Sequence, residues 1–291
     1  MADLPFVDAH VHLWDRQEPA LGGYGWLDPA AGPDPTLGDY RAIMMPRYWA
    51  DDLLAETRFA NVVATIHVQA ASAIADPAAE TRWLQAAAER TGHPHGIVAG
   101  ADLAAPDVGA LLDRHAACAN LRGIRDLRYD GYLDDPAWDR GVGLVAARGL
   151  VLCDDPLVEA MPAAARLAAR HPDLTLCIDH AGFPRARDAA AFRAWRAGMR
   201  LLAARPNTVV KISGLGMADH RWTVESIRPW VEECIALWGP GRALFGTNWP
   251  VDRLFSSYSD VVDAYAALTA DLTPGERAAL FHGTAQRVFR I

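Results

Sequence analysis

The sequence is poor in lysine and cysteine and has no long apolar run. Lys211 is the only lysine among 28 basic residues, and 36 acidic residues give a formal net charge of -8. Nucleic acids and anionic membranes require a basic protein surface, so both are excluded as partners. No apolar stretch reaches the roughly 18 residues of a membrane-spanning helix. Because 51% of the residues are hydrophobic, the chain can bury a large core, and a globular protein is predicted.

The four cysteines are too scattered to form a zinc ribbon or a redox pair. None stands in a C-x-x-C pair, and Cys153 and Cys177 fall in apolar runs, where a free thiol packs as a small hydrophobe. The first residues, MADLPFVDAH, contain no basic segment followed by an apolar one. We therefore predict buried, reduced thiols and a soluble, cytoplasmic protein.

Short segments rich in Val, Ile and Leu recur along the whole chain and alternate with amphipathic stretches. The segments lack a polar alternate face, which is typical of strands buried on both sides in a parallel sheet. The alternation predicts an α/β fold, a (β/α)8 TIM barrel, with an open doubly wound sheet as the alternative. The predicted strands are 5–10, 62–69, 96–103, 121–127, 150–154, 174–180, 208–213 and 242–248. The predicted helices are 78–90, 161–170, 189–204, 224–238 and a C-terminal helix near 275–289.

One connection is much longer than the others. Residues 13–48 follow the first predicted strand and are rich in Pro, Gly, Trp and Asp. Loops at the carboxyl ends of barrel strands carry the active site, and long loops in compact domains are usually functional or disordered. Trp14, Tyr24 and Trp26 favour an ordered loop. We therefore predict a single domain, 1–291, with an active-site lid at 13–48.

Polar residues gather at the carboxyl ends of the predicted strands, where the active site of a barrel lies. His10 and His12 end the first strand, and residues two apart in an extended strand share a face, so their imidazoles converge. Such a pair suits a divalent metal or a reacting oxygen. A carboxylate is expected at the end of the last strand, but Asn248 stands there. Asp252 can reach the site only if the chain turns back.

A series of motifs then runs from end to end of the chain: VDAHVHLWD (7–15), LRGIR (121–125), LCIDHAGFP (176–184), VVKISGLG (209–216) and LFGTNWPVD (244–252). Together they resemble the amidohydrolase superfamily, in the branch that contains sugar lactonases and 2-pyrone-4,6-dicarboxylate lactonases. The resemblance implies a site built from the first-strand histidines, a sixth-strand histidine and a last-strand aspartate. It places metal ligands at His10, His12 and His180. At the position of the last-strand aspartate, however, this chain has Asn248.

The asparagine at position 248 leaves open whether the enzyme uses a metal cofactor. An amide takes up no proton near neutral pH and is a poor ligand beside a metal-bound hydroxide, and members of this branch vary in whether they need a metal. A divalent metal such as zinc is therefore one expectation, and metal-independent catalysis is the other. We predict that His180 is the catalytic base, with Asp154 as a second candidate, and that Asn248 orients the lactone or its attacking water.

Other residues near the strand ends suit a charged substrate. Arg125 can pair with a substrate carboxylate, or alternatively with Asp102 or Asp126 in a structural ion pair. Lys211 lies on the seventh predicted strand and has either a structural or a substrate-orienting role. The predicted substrate-binding residues are Arg125, Gln69, Lys211, Trp249, Arg47 and Tyr48. The predicted partner is a small molecule, a sugar-acid lactone, and assembly into a homo-oligomer is left open.

The predicted function is hydrolysis of the lactone of a sugar acid or of a related carboxylated lactone. Water attacks the carbonyl, while His10, His12 or a weakly held metal polarises its oxygen. A lactone isomerase is the first alternative, because a substrate hydroxyl then replaces water and the missing aspartate is less needed. A metal-dependent decarboxylase shares the H-x-H start but normally keeps that aspartate. A catalytically silent barrel that binds a sugar acid is the third alternative.

Overall fold

The computed structural model describes residues 4–21, 24–28, 30, 32–71, 74–128 and 131–291. Eight parallel strands follow one another in chain order in a single sheet. The sheet closes where the chain after the last strand meets the first: Val11 bridges Trp249, and the Asn248 N–H donates to the His10 carbonyl at 2.8 Å. The predicted (β/α)8 TIM barrel is confirmed. Its strands are β1 (Phe6–Val11), β2 (Val62–Val68), β3 (Gly96–Gly100), β4 (Leu121–Arg125), β5 (Val151–Asp154), β6 (Thr175–Ile178), β7 (Thr208–Ile212) and β8 (Ala243–Phe245).

Helices connect the strands and cover the outside of the sheet. They are α1 (Ala50–Thr57), α2 (Ala78–Thr91), α3 (Val108–Ala116), α4 (Pro136–Ala147), α5 (Met161–Arg170), α6 (Ala189–Ala203), α7 (Val224–Trp238), α8 (Tyr258–Leu268), α9 (Pro274–Ala278) and α10 (Thr284–Phe289). The predicted helices correspond closely to α2, α5, α6 and α7. The predicted C-terminal helix is divided, because a π-helical turn separates α9 from α10. Among the described residues, none of the helices is both long and apolar enough to cross a membrane.

Local signals in the sequence fix where these helices begin and end. The Asp188 carboxylate accepts hydrogen bonds from two backbone N–H groups at the start of α6, and Thr223 forms a capping box at the start of α7. Gly239 ends α7 with a φ of 69°, a conformation that costs glycine little. Each helix therefore starts and stops so that the next strand follows after a short loop.

The core has two main parts. The larger lies between the sheet and the helices, and the smaller unites side chains from most of the strands with the end of α10. Val7, Val151 and Val209 come from the first residues of their strands and belong to the smaller cluster together with Phe289. The C-terminal helix α10 therefore closes the barrel at the end opposite to the histidines. All four cysteines are buried and unpaired, as the sequence predicts.

The long connection is ordered over its described residues. Its two ends pair as a short antiparallel ribbon, Trp14–Asp15 with Arg47–Tyr48. The Trp26 indole N–H donates to the carbonyl of Ala70 at 2.8 Å, which ties the loop to the end of β2. The loop therefore lies over the carboxyl end of the barrel, while its action as a lid stays a prediction. Outside the described residues lie Gly22, Gly23, Pro29 and Ala31.

Candidate active site

The two histidines of the first strand meet at the carboxyl end of the barrel. The Nε2 atoms of His10 and His12 are 3.2 Å apart. A register shift between Asp8 and Val11 interrupts the pairing of β1 at this point and re-aims the side chains. His12 Nδ1 lies 2.8 Å from the carbonyl of Val68. Because a carbonyl can only accept, His12 carries its proton on Nδ1 when neutral, and its Nε2 keeps a lone pair that faces the site.

The chain after β8 does turn back, and it brings Asp252 beside Asn248. Asn248 has a left-handed φ of 59°, and a 3-10 turn follows at Val251–Leu254. The Asn248 Nδ2 donates to Asp252 Oδ2 at 2.7 Å, so the amide presents its Oδ1 to His12 Nε2 at 3.3 Å. Both of these facing atoms are acceptors. A donor has to lie against them. The candidates are the ring of His10, whose Nε2 is 3.2 Å from His12 Nε2, and a water molecule, a substrate hydroxyl or a cation.

His180 lies in a left-handed turn directly after β6. The φ angles of His180, Ala181, Gly182 and Phe183 are 53°, 53°, 67° and 43°. For non-glycine residues this conformation costs roughly 1–2 kcal/mol each, and such strain concentrates at functional sites. The turn places His180 Nδ1 3.0 Å from the Ser213 hydroxyl and brings the centroid of its ring, tilted by 44°, to 4.5 Å from that of His10. The prediction that the sixth strand extends to His180 is therefore wrong, because the strand ends at Ile178.

Burial keeps the three imidazoles neutral. It lowers the pKa of His10 and of His12 well below the usual 6.5, and the positive charges of Lys211 and Arg125 add to this effect. Burial also lowers the pKa of His180, to about 4, although the Asp179 carboxylate opposes the shift. Near neutral pH each ring therefore has one nitrogen with a hydrogen and one with a lone pair, as general acid–base work requires.

Lys211 lies beneath the histidines and not at the surface of the site. Its Nζ is 2.8 Å from Asp179 Oδ1, 3.4 Å from His10 Nδ1 and 3.8 Å from the Cys153 thiol. Burial alone would lower the pKa of Lys211, but the Asp179 carboxylate raises it above its ordinary value, so the amine is charged. The second carboxylate oxygen, Asp179 Oδ2, is buried without a hydrogen-bond partner and lies 3.7 Å from His10 Nδ1.

The donor set does not fit a tightly held divalent ion. Ligands about 2.1 Å from one ion lie roughly 3 Å apart, and the spacings of His10 Nε2, His12 Nε2 and Asn248 Oδ1 would allow this. None of the three is anionic, however, and the ammonium of Lys211 lies closer to His10 Nδ1, at 3.4 Å, than the Asp179 carboxylate does, at 3.7 Å. In the described part of the chain, the donor atoms of His10, His12 and His180 do not all lie within 4.8 Å of one another.

A different group of metal-ligating side chains converges below the histidines. Cys153, Cys177 and Asp179 have donor atoms that all lie within 4.8 Å of one another. Cys153 and Cys177 are register partners on β5 and β6. The ammonium of Lys211 already contacts two members of this group, Cys153 and Asp179. A protein cation therefore already contacts two of the three side chains that a soft metal ion would need.

Asp154, the second candidate base, is held by a residue that the sequence did not point to. The Tyr132 hydroxyl lies 2.9 and 2.7 Å from the two carboxylate oxygens of Asp154. Burial raises the pKa of Asp154 to about 8, and the negative charge of Asp155 adds to the shift. Near neutral pH Asp154 is therefore mostly protonated, which makes it a poor proton acceptor.

We expect Asp154→Asn to stabilise the protein more at pH 9 than at pH 5. The pKa of Asp154 is raised from 3.8 in the unfolded chain to about 8 in the folded one. The folded state therefore holds more protons, and the unfolding free energy of the wild type falls as the pH rises through this window. Asparagine is nearly isosteric and lacks that fall. Thermal unfolding of both proteins at pH 5, 7 and 9 measures the difference.

Asp271→Asn removes an exposed carboxylate and is the matched control for this experiment. A difference between Asp154→Asn and the wild type that stays the same at all three pH values contradicts the raised pKa. Loss of turnover by about 100-fold or more in Asp154→Asn would show that this carboxyl group takes part in proton transfer, and the pH profile then separates the role of acid from that of base.

Arg125 and Gln69 lie together at the ends of β4 and β2. The Arg125 Nη2 donates to the Gln69 carbonyl at 2.5 Å and lies 3.2 Å from its Oε1, while its Nε is buried without a partner. Arg125 is only 8% exposed, and among the described residues no carboxylate lies within 4.0 Å of it. The structural ion pairs with Asp102 and Asp126 belong to Arg128 instead. A cavity of about 270 Å³ is lined in part by Arg125 and Gln69.

The remaining predicted substrate-binding residues have other contacts. Arg47 is exposed, and its guanidinium lies 5.1 Å from the Trp49 ring. Tyr48 is buried against Trp14, with ring centroids 5.6 Å apart. The Trp249 indole N–H donates to a Glu56 carboxylate oxygen at 2.6 Å. These contacts link the ribbon, α1 and the end of β8. Trp249 also contacts the site through its backbone, because its carbonyl accepts a hydrogen bond from the His12 N–H at 2.7 Å.

Sequence reasoning assigned no role to several residues that shape the site. Asp179 and Ser213 stand beside assigned residues in the motifs LCIDHAGFP and VVKISGLG, so their positions were a usable signal. Gly214 is a second such case, since a Cβ there would lie 2.5 Å from His180 Nδ1. Tyr132 reaches Asp154 from the loop after β4, and nothing in the sequence around it indicated this contact.

Comparison with known proteins identifies the family. A family model described as Amidohydrolase matches residues 7–291 of the chain. The chain belongs to the amidohydrolase family. Together with relatives named as lactonases, this match makes the protein an enzyme, a hydrolase of that family. The resemblance drawn from the motifs is thereby confirmed.

The relatives of this amidohydrolase extend over its whole length. An uncharacterized protein of Sinorhizobium fredii, y4mH, is 40% identical and covers 100% of both chains. An L-fucono-1,5-lactonase of Burkholderia ambifaria is 32% identical over 98% of this chain and 95% of its own. The crystal structure of an amidohydrolase from Burkholderia multivorans with bound zinc has a TM-score of 0.84 at 29% identity, covering 98% of this chain and 99% of that one.

Proposed function

We propose that this amidohydrolase opens the lactone ring of a sugar acid or of a related carboxylated lactone by attack of water. The observation that supports this proposal is a pair of hydrogen-bond acceptors, His12 Nε2 and Asn248 Oδ1, which face each other 3.3 Å apart. The ring of His180, at the same end of the barrel, is neutral at working pH. A water molecule can donate one hydrogen to each acceptor and keep a lone pair free for the carbonyl carbon. The name of the Burkholderia ambifaria relative supports a lactone as the substrate.

The neighbouring residues divide the remaining work. His180 accepts the proton of the attacking water, because its pKa of about 4 leaves the ring unprotonated at neutral pH. His10 donates a hydrogen bond to the carbonyl oxygen, where negative charge develops. Asp252 holds the Asn248 amide so that its oxygen and not its nitrogen faces the water. Protonated Asp154 is available as a donor to the leaving oxygen of the ring.

We propose that this chemistry needs no metal. The site lacks an anionic ligand among His10, His12 and Asn248, and it has a buried ammonium beside His10. A zinc ion is bound in the Burkholderia multivorans relative, so the proposal separates this chain from that one. The measurement is turnover with and without a strong chelator, together with the metal content of the untagged protein. Stoichiometric zinc and loss of activity with the chelator would refute this part of the proposal.

The proposed substrate carries a negative charge or acquires one. Arg125 is a buried cation with no described carboxylate within 4.0 Å and with an unpartnered Nε. Asp155 interacts with Arg125 only electrostatically, beyond ion-pair distance, and a substrate or product carboxylate would supply a direct, bidentate counter-charge. The loop at 13–48 covers this end of the barrel, and we propose that it acts as a lid that excludes water from the bound lactone.

A panel of aldonic and aldaric lactones, followed by NMR over time, tests the proposed function. We expect ring-opened acid as the product and a preference for lactones that carry a second carboxylate. Arg125→Met is expected to remove that preference while leaving slow turnover of the neutral lactones, because only the carboxylate contact is lost. Binding without turnover across the whole panel would favour the silent barrel and would overturn the proposal.

An isomerase is the second candidate, and exchanging Asn248 and Asp252 discriminates it. Asn248→Asp alone places two carboxyl groups about 2.7 Å apart, where one has to stay protonated. The double variant Asn248→Asp/Asp252→Asn keeps the hydrogen bond and turns a carboxylate towards His12. We expect ring opening to be retained or increased about tenfold in the double variant, since a carboxylate can then accept the proton of water. A wild type that yields only a second lactone, and a double variant that begins to yield acid, would establish isomerisation instead.

A further inference from the structure

The only lysine of the chain is enclosed within the barrel and touches one of the proposed catalytic rings. Lys211 is 0% exposed, and its ammonium faces Asp179 of the β6 end, Cys153 of β5 and His10 of β1. On another side it lies 5.5 Å from the centre of the Phe289 ring. Asp179 supplies the counter-charge, which makes this burial tolerable. The proposed reaction gives Lys211 no step, so its contact with His10 needs a separate explanation.

The contact defines the hydrogen on His10. An ammonium has three donors and no lone pair, so Lys211 can only donate to His10 Nδ1. A neutral imidazole that accepts at Nδ1 carries its hydrogen on Nε2. The His10 Nε2 lies 3.2 Å from His12 Nε2. The latter atom has a lone pair, because the hydrogen of the His12 ring is on Nδ1, which donates to the Val68 carbonyl. In the free site the pair is therefore complementary, with His10 donating and His12 accepting. A bound lactone and its water would replace this hydrogen bond with one from His10 to the carbonyl oxygen and one from the water to His12.

An opposite arrangement exists within the same cluster. If His10 carried its hydrogen on Nδ1, that hydrogen would point towards Asp179 Oδ2, which has no hydrogen-bond partner and lies 3.7 Å away. A metal ion on His10 Nε2 would require this second tautomer, with a carboxylate behind the ring as metal-bound histidines usually have. It would also turn the Nδ1 hydrogen towards the ammonium at 3.4 Å. The two contacts therefore favour opposite states of His10, and the shorter one is that of Lys211.

We propose that Lys211 is a positioning residue that fixes His10 as the Nε2–H tautomer, so that His10 serves as a hydrogen-bond donor and not as a metal ligand. This inference deepens the proposed function, because a fixed Nε2–H is what the lactone carbonyl oxygen needs. Asp179 keeps the ammonium in place and is the second member of the device. The same ammonium contacts two members of the group formed by Cys153, Cys177 and Asp179, and its positive charge opposes the binding of a soft metal ion there.

The tautomer can be measured directly by NMR of protein labelled with 15N in its histidine rings. Protonated and unprotonated ring nitrogens give well-separated signals, and a His10→Gln variant identifies those of His10 among the 10 histidines. We expect wild-type His10 to show a protonated Nε2 and a bare Nδ1. Lys211→Met should abolish this preference. Cys153→Ser changes another neighbour of the ammonium but leaves its counter-charge, Asp179, in place, so it is the matched control, in which the Nε2–H form should persist.

Lys211→Met leaves Asp179 buried without its cation and can fail to fold for that reason. Lys211→Met/Asp179→Asn removes both charges with side chains of similar size and keeps an oxygen acceptor behind His10, so it keeps the test decisive. Equilibrium competition with a zinc chelator is the second measurement. We expect the double variant to bind zinc at least about tenfold more tightly than the wild type.

A wild-type His10 protonated on Nδ1 overturns the proposal, as does an unchanged Nε2–H tautomer in the double variant. Equal zinc affinities of the wild type and the double variant overturn the statement that Lys211 opposes a metal. Neither measurement uses a lactone. Failure of the proposed function in the lactone panel and failure of this inference are therefore separate results.

Discussion

His180→Ala is expected to lower kcat by about 10²- to 10⁴-fold and to change KM little. The ring is neutral at working pH because burial lowers its pKa to about 4, and its Nδ1 is already used on Ser213. What remains is one nitrogen for the attacking water. Steady-state kinetics on the best lactone of the panel, with thermal unfolding to confirm the fold, gives the result. Full activity of His180→Ala with that lactone would remove this residue from the mechanism.

The pH profile of the wild type separates the two candidate bases. Protonation of the base stops the reaction, so kcat/KM falls as the pH drops through its pKa. With His180 as the base, activity persists down to about pH 5 and falls as the pH approaches 4. With Asp154 as the base, activity would already be lost below about pH 8. The position of the acid limb therefore assigns the base independently of mutagenesis.

Gly214→Ala is expected to have the second largest effect, a loss of activity of about 100-fold or more. Gly214 has a φ of 62°, and a Cβ on it would lie 2.5 Å from His180 Nδ1 and 2.7 Å from the Met217 methyl group. The methyl group of Met217 can move, but the ring of His180 is held by a strained turn. The added carbon therefore breaks the contact with Ser213 and displaces the ring, and a displacement of about 1 Å can cost 10²-fold.

Gly92→Ala is the matched control for backbone strain. Gly92 is also left-handed, with a φ of 80° and a ψ of -5°, but nothing lies within 4 Å of the position of its Cβ. Both variants carry the cost of a left-handed alanine, roughly 1–2 kcal/mol, and both should show a similar drop in melting temperature. Only Gly214→Ala should lose turnover. Equal activity of the two variants contradicts the steric argument, whatever their stabilities are.

The barrel could be predicted from the sequence because its signals are local and repeated. Runs of Val, Ile and Leu indicate the buried strands. Helices such as α5 and α7 have regularly spaced apolar residues and recognisable residues at their ends. The ends of the strands were less accessible. In the sequence, the polar residues after the sixth strand look like its continuation. The chain turns there instead, and the turn is held by a contact distant in sequence, since the Trp195 indole N–H donates to the Ala181 carbonyl at 2.8 Å.

The site was predictable as a set of positions and not as a set of contacts. His10, His12, His180 and Asn248 stand at strand ends, which topology alone brings to one side of the barrel. Tyr132 lies on Asp154 through a loop of irregular path, and periodicity does not describe such a path. The alternative role of Arg125, an ion pair with Asp102 or Asp126, fails for a related reason, since Arg128 stands three residues further on and pairs with both carboxylates.

The C-terminal helix α10 has a consequence for the proposed chemistry at the opposite end of the barrel. Phe289 is fully buried beside the ammonium of Lys211 and closes the barrel below it. If water entered from that end, it would solvate the ammonium and weaken its hold on His10. The buried Phe289 ring therefore keeps water away from the ammonium of Lys211, whose hydrogen bond to His10 contributes to the proposed reaction. A part of the chain that never meets the substrate would then help to set the strength of the hydrogen bond offered to it.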